Sequence, residues 1–246
     1  MTSPAVKSKG TIKVLHLYPK EMNIYGDWGN VLTILRRLQW HGYTPQLIQH
    51  NIGDSLNQEA DLIIGGGGQD SGQLFIQKDL QKQANKLTKM SQAGTPMLMV
   101  CGMYQLFGRH FKTNEDKIIK GIGLFGAETH ASNKRMIGNV VIESELFGEI
   151  IGYENHSGQT YLDANQPALG NTKKGDGNNS KDRTEGAVLH NVIGSYMHGS
   201  LLPKNPRIAD FLIEKAVEKK FGEFEPSIID DHLANEARRI ARLRPR

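Results

Sequence analysis

Polar and apolar residues along the first hundred positions switch between two periods. Thr11 to Tyr18 alternates apolar and polar residues, as a half-buried strand does. From Asn30 to Gly42 the apolar positions Val31, Leu32, Ile34, Leu35 and Leu38 repeat at helical spacing and stop at a glycine. Leu47-Ile48 falls in a short second strand. Asp61-Leu-Ile-Ile64 is a compact apolar run that breaks into four glycines, Gly65 to Gly68. A helix is expected from about Asp79 to Gln92, and Pro96 to Cys101 reads as another buried strand. Strands alternating with helices predict an α/β fold, a mostly parallel sheet with helices on both faces. Ligands of such sheets sit outside the carboxyl ends of the strands, where the glycine run and Cys101 both fall.

The second half changes character. Asn139–Glu143, Gly152–Asn155 and Val192–Met197 look like shorter strands, partly antiparallel. Residues 170–186 are so rich in Gly, Asn, Lys, Asp and Ser that they predict an exposed loop. A helix is expected from about Pro206 to Lys220, with a last charged helical segment after Pro226. No internal repeat or linker divides the chain. The expectation is a flexible N-terminus over 1–10, one domain over 11–222, and a helical basic tail over 223–246.

Composition narrows the classes. Of 246 residues, 38% are hydrophobic and 23% charged, which suits a globular protein. No apolar run is long enough to span a membrane as a helix, and the polar N-terminus lacks the core of a secretory signal. A single cysteine excludes a disulfide framework and any multi-cysteine metal site, and fits a reducing cytoplasm. The formal charge of +4 is too small to argue for nucleic acid. Much of it sits in Arg238, Arg239, Arg242, Arg244 and Arg246, which read as a solvated helix end or a contact for an anionic partner.

Cys101 closes an apolar strand and is followed by Gly102 and helix-compatible residues. A nucleophile on such a turn projects from the sheet with the next N–H aimed at the reacting carbonyl. The helix start also favours the thiolate. A buried structural cysteine is the plainer alternative. Among nine histidines, His198 follows a strand-like run and has Gly199 beside it; His110, His130, His156 and His190 are its rivals. The glycine run lacks the Lys-Ser/Thr of a phosphate loop and the spaced glycines of a dinucleotide site. It is either a plain tight turn or a loop whose N–H groups hold an oxyanion.

Taken together, Cys101-Gly-Met-Tyr-Gln105-Leu, the glycine run and His198-Gly-Ser-Leu-Leu-Pro-Lys-Asn-Pro206 resemble the class I glutamine amidotransferases. Within them the chain is similar to the branch related to cobyric acid synthase. It resembles most the GatD-type glutaminase subunits of lipid II isoglutaminyl synthase. Asn23 to Asn30, Gly66-Gly-Gly-Gln-Asp70, Tyr153-Glu-Asn-His156, Gly158-Gln-Thr-Tyr161 and Gly175 to Asn179 carry that likeness over about residues 11 to 230.

The resemblance implies a flavodoxin-like domain that hydrolyses L-glutamine without cofactor or metal. It makes Cys101 the nucleophile and His198 its base. Gly102 and Gly67, with a margin of one residue, would be the oxyanion donors, and Gln105 and Arg135 would contact the substrate. It also implies a Mur-ligase-like ATP-dependent partner in a heterodimer, which amidates the D-glutamate α-carboxylate of lipid II. Two positions depart from the family pattern. Met103 stands where the elbow has glycine, which would strain a positive φ there. Ser200 stands where many relatives have a glutamate behind the histidine. Glu154, Glu185 or Glu128 could replace that acid, or the partner could supply an aspartate. The alternatives are a cobyrinate-type amidotransferase and a catalytically silent binding module.

Overall fold

The computed structural model describes residues 8–57 and 59–245. Residues 1–7, most of the expected N-terminal segment, and Arg246 of the basic tail lie outside them. The first half runs β1 (Thr11–Leu17), α1 (Trp28–Trp40), β2 (Thr44–His50), β3 (Leu62–Gly65), α2 (Asp70–Gln92), β4 (Met97–Val100) and α3 (Gly102–Phe107). Then come β5 (His110–Lys112), β6 (Ile118–Lys120), β7 (Ala127–Ser144), β8 (Gly148–Leu162), β9 (Gly170–Lys174), β10 (Thr184–Glu185), β11 (Ala187–Leu189) and β12 (Val192–Ser195). A 3₁₀ turn at Leu202–Lys204, α4 (Pro206–Phe221) and α5 (His232–Leu243) close the chain.

The first sheet has the order β11-β12-β4-β3-β1-β2. Every pair is parallel except β11 with β12, the flavodoxin-like arrangement with an antiparallel edge. From β1 the chain steps one way to β2, and from β3 the other way to β4. Right-handed crossovers therefore put α1 and α2 on opposite faces. α4 packs on α1 and β3, while α2 packs on α3 and the second sheet. Ile12, Val14, Leu15, Leu62 to Ile64, Leu98 to Val100 and Ile193 are fully buried between these layers.

Two sequence expectations change. α2 begins at Asp70, nine residues before the expected start, because its apolar stripe at Ile76, Leu80 and Leu87 extends back to a buried Gln73. The supposed loop 170–186 holds β9 and β10 and two fully buried asparagines. Asn178 bonds Gly186 through both ends of its amide, and Asn179 donates to the Thr160 carbonyl at 2.9 Å. Side-chain amides here replace the ladder that composition alone said was missing.

The second sheet, order β10-β9-β7-β5-β6 with β8 also on β7, is antiparallel apart from the β5–β7 pair. Its two long strands, β7 and β8, shift register between Ala131 and Met136. That bulge brings Arg135 and the stretch Asn155 to Gly158 to the edge of the first sheet.

Candidate active site

A cleft of about 370 Å³ opens at the carboxyl ends of the parallel strands. Its walls include Gly68, Asp70 and Gln73 from the glycine run and α2, Cys101 and Gln105 from the elbow, and Arg135, Asn155 and His156 from the bulge. Cys101 takes φ +50° and ψ −108° between β4 and α3, a strained turn that aims its side chain off the sheet. The turn is tied down on all sides. Cys101 N donates to Ser195 O at 2.8 Å, Gln105 N to Cys101 O at 3.0 Å, and Met103 N to Gly66 O at 3.3 Å. Met103 carries no positive φ, which falls on Cys101 instead. Its side chain is fully buried against Gly65.

The helix start does not lower the thiol. α3 is one short helix of six residues, and burial pushes Cys101 up to about 12, with the Asp27 carboxylate adding to it. The Gly102 N–H, bonded to the sulfur, pulls weakly the other way. Asp27 is itself fully buried. Its Oδ2 accepts the Gly67 N–H at 2.6 Å, and its Oδ1 has no partner among the described residues. Burial raises its carboxyl to about 6. The Gly67 N–H is thus spoken for, and Gly68, one residue on, is the glycine of the run that lines the cleft. Nothing in the sequence marked Asp27 as a buried group, since its partner lies 40 residues away.

Gln105 lines the cleft, with its amide set in a buried chain. Gln73 Nε2 donates to its Oε1 at 2.7 Å, and its Nε2 donates to the Tyr196 hydroxyl at 3.0 Å. Arg135 stands on the bulge, donating from Nε to Asn155 Oδ1 at 2.7 Å and bonding the Tyr25 hydroxyl.

His198 follows β12 and meets the cleft through two lining residues, Tyr25 and Asn155. Tyr25 stacks on it with ring centroids 4.3 Å apart and planes 24° apart. The edge of Tyr25 lies against Gly67 beside the Cys101 Cβ. His198 Nε2 is 3.3 Å from Asn155 O, which makes Nε2 the protonated nitrogen and leaves the lone pair on Nδ1. Burial lowers the imidazole to about 4. Of the acids considered for its support, Glu185 is buried against Ser195 Oγ and the Tyr196 N–H, and Glu128 pairs with Arg109 and His130. Glu154 takes the N–H groups of Asp176 and Gly177, and acts on His198 through space.

Among the described residues no helix is long and apolar enough to cross a membrane. His110, Glu128 and His130 are the one cluster there with metal-ligand spacing, and it involves none of the residues that line the cleft.

Known proteins place this geometry. The chain is 35% identical over 230 residues to the GatD subunit of lipid II isoglutaminyl synthase (glutamine-hydrolyzing) from Staphylococcus aureus, covering 93% of this chain and 94% of that one. It is 36% identical over 217 residues to the same-named subunit from Streptococcus pneumoniae, covering 86% and 83%. A glutamine amidotransferase from Thermotoga maritima shares the fold, with a TM-score of 0.56 at 15% identity over 94% of this chain and 93% of that one. Residues 13–206 match the CobB/CobQ-like glutamine amidotransferase domain, and the chain belongs to that family.

Proposed function

We propose that this chain hydrolyses L-glutamine at Cys101 and hands the ammonia to a Mur-ligase-like, ATP-dependent partner subunit. That partner would amidate the D-glutamate α-carboxylate of lipid II to D-isoglutamine. The observation that carries the reading is the strained Cys101 turn at the end of a parallel strand, in a chain that matches a glutamine-hydrolyzing subunit over nearly its full length. A cobyrinate-type role is less well supported, because the match to a probable cobyric acid synthase from Methanothermobacter thermautotrophicus covers only 31% of that protein.

In this reading residues 11–222 form the catalytic body. The thiol proton passes to His198 Nδ1, and the sulfur attacks the side-chain amide carbon of glutamine. The Gly102 N–H points at the sulfur, and it and the Gly68 N–H, rather than Gly67, stabilise the oxyanion. The tetrahedral species collapses as His198 returns the proton to the amide nitrogen, which leaves as ammonia. Water, deprotonated by the same ring, then cleaves the γ-glutamyl thioester to glutamate and restores the thiol. Arg135 grips the substrate α-carboxylate, and Gln105 lines its path. The Asn155 carbonyl fixes the His198 tautomer but cannot carry the counter-charge of an acid, a role left to an aspartate of the partner. Tyr25 touches both His198 and the Cys101 turn, so its placement governs their approach.

The test is Cys101→Ala in the full complex. Glutamine-dependent amidation should vanish while amidation from ammonium salts persists. Loss of both in a folded, still-associated variant would contradict the division of labour.

A further inference from the structure

The first turn of α2 enters the cleft, where Asp70 and Gln73, three residues apart, share one helix face. Gln73 is 2% exposed. Its Nε2 is used by Gln105, and its Oε1 is buried with no hydrogen-bond partner among the described residues. A buried carbonyl left unpaired in a cleft marks the place of a donor that arrives from outside. Gln73 also sits directly against the elbow, since a Cβ on Gly102 would come within 3.1 Å of its Nε2. Asp70 forms no ion pair among the described residues, and its charge reaches the Cys101 thiol.

An ionised carboxylate and an amide oxygen offer acceptors only. A glutamine ligand carries two kinds of donor, its side-chain amide and its α-ammonium. The amide nitrogen must leave as ammonia, whereas the ammonium stays with the product. A full negative charge at Asp70 also outweighs the roughly half positive charge of a helix N-terminus, so the spot favours a cation. Arg135, on another wall of the same cleft, offers the complementary charge for a carboxylate.

We propose that Asp70 and Gln73 form the subsite that receives the α-ammonium of a free amino acid, with Gln73 as a specificity-determining residue. The site thereby selects free glutamine over glutamine acylated on nitrogen or held in a peptide. The inference rests on the glutaminase reading for the identity of its ligand.

The full-length Cys101→Ala chain, which cannot turn over, is titrated calorimetrically with L-glutamine and with N-acetyl-L-glutamine. L-glutamine should bind about ten-fold tighter or better. Adding Gln73→Leu or Asp70→Asn should weaken L-glutamine by about the same factor and leave N-acetyl-L-glutamine nearly unchanged. Gln73→Glu, which keeps an acceptor at that spot, should retain the preference. A preference that survives both Gln73→Leu and Asp70→Asn would overturn the subsite. So would equal weakening of both ligands, which assigns Gln73 to packing, or binding of neither by the parent chain. L-glutamine binding with no hydrolysis by the wild-type complex would remove the glutaminase reading and leave the subsite standing.

Discussion

The two sides of the cleft are built to different tightness. On the nucleophile side, a Cβ on Gly66 would meet Met22 O at 2.4 Å, and one on Gly102 would meet Gly68 N at 3.1 Å. On the histidine side, a Cβ on Gly199 would meet nothing within 4 Å. Gly199 and Ser200, directly after His198, both take positive φ. The histidine segment is held by the His198 N–H on Tyr153 O, the Tyr25 stack and a bond from Ser200 Oγ to Gly26 O. Cys101 is locked into its turn by the close packing of the core, whereas His198 is followed by a loop with two positive-φ residues. In the proposed reaction this keeps the sulfur in place and leaves the support of His198 to the partner subunit.

Substitutions on the two sides should therefore behave unequally. The largest effect is expected from Gly66→Ala, whose methyl collides with backbone. Overpacking of this kind costs about 1–3 kcal/mol, and moving the glycine run should remove glutamine hydrolysis altogether; urea unfolding and an ammonia-release assay read the two effects. Wild-type activity in this variant would show that the nucleophile side yields more easily than its contacts imply.

Asp27→Asn should stabilise the fold while impairing catalysis. The folded carboxyl is raised from 3.8 to about 6, so its contribution to stability is full below pH 3.8 and is lost as pH rises through 6. Removing the ionisable group should then add about 3 kcal/mol at pH 7.5 and only about 1 kcal/mol at pH 4.5. Urea denaturation at both pH values checks the sign, and a gain independent of pH would mean that the folded carboxyl is not raised above its ordinary value.

Arg135→Ala should raise KM for glutamine by the worth of a charge-assisted hydrogen bond, about 1.5–3 kcal/mol, with no change in thermal unfolding. Unchanged glutamine kinetics would make Arg135 a bystander on the bulge. Gly199→Ala is expected to cost least, about 1–2 kcal/mol for the left-handed backbone alone. A loss as large as that of Gly66→Ala would erase the contrast between the two sides.

What could be read in advance follows the same divide. The parallel sheet and the elbow were legible because a strand, its turn and the next helix are contiguous, and local period carries the information. The first turns of α2 are hidden in the sequence because Gly72 and the glutamines around it mask a stripe that is buried only through the tertiary fold. Asn178 and Asn179 read as loop residues since composition does not reveal that an amide bonds backbone inside a folded turn. Arg135 came from resemblance alone, and what places it at the cleft is a register shift between β7 and β8 that no single segment encodes. Asp27 and Tyr25 meet residues far along the chain, and the burial of Asp27 emerges only when the glycine run folds over it.

In the proposed mechanism the nucleophile is complete in this chain while the base waits on a partner. With burial holding Cys101 near 12 and His198 near 4, both are neutral in the free chain, and the proton has little reason to move. The direct measurement is kcat for glutamine hydrolysis at saturating glutamine, with the purified chain alone and with the Mur-ligase-like subunit bound. Under the proposed mechanism turnover is slow alone and rises by up to ~10⁴-fold in the complex, the scale of restoring an acid behind a catalytic histidine. Equal kcat in the two states would contradict it.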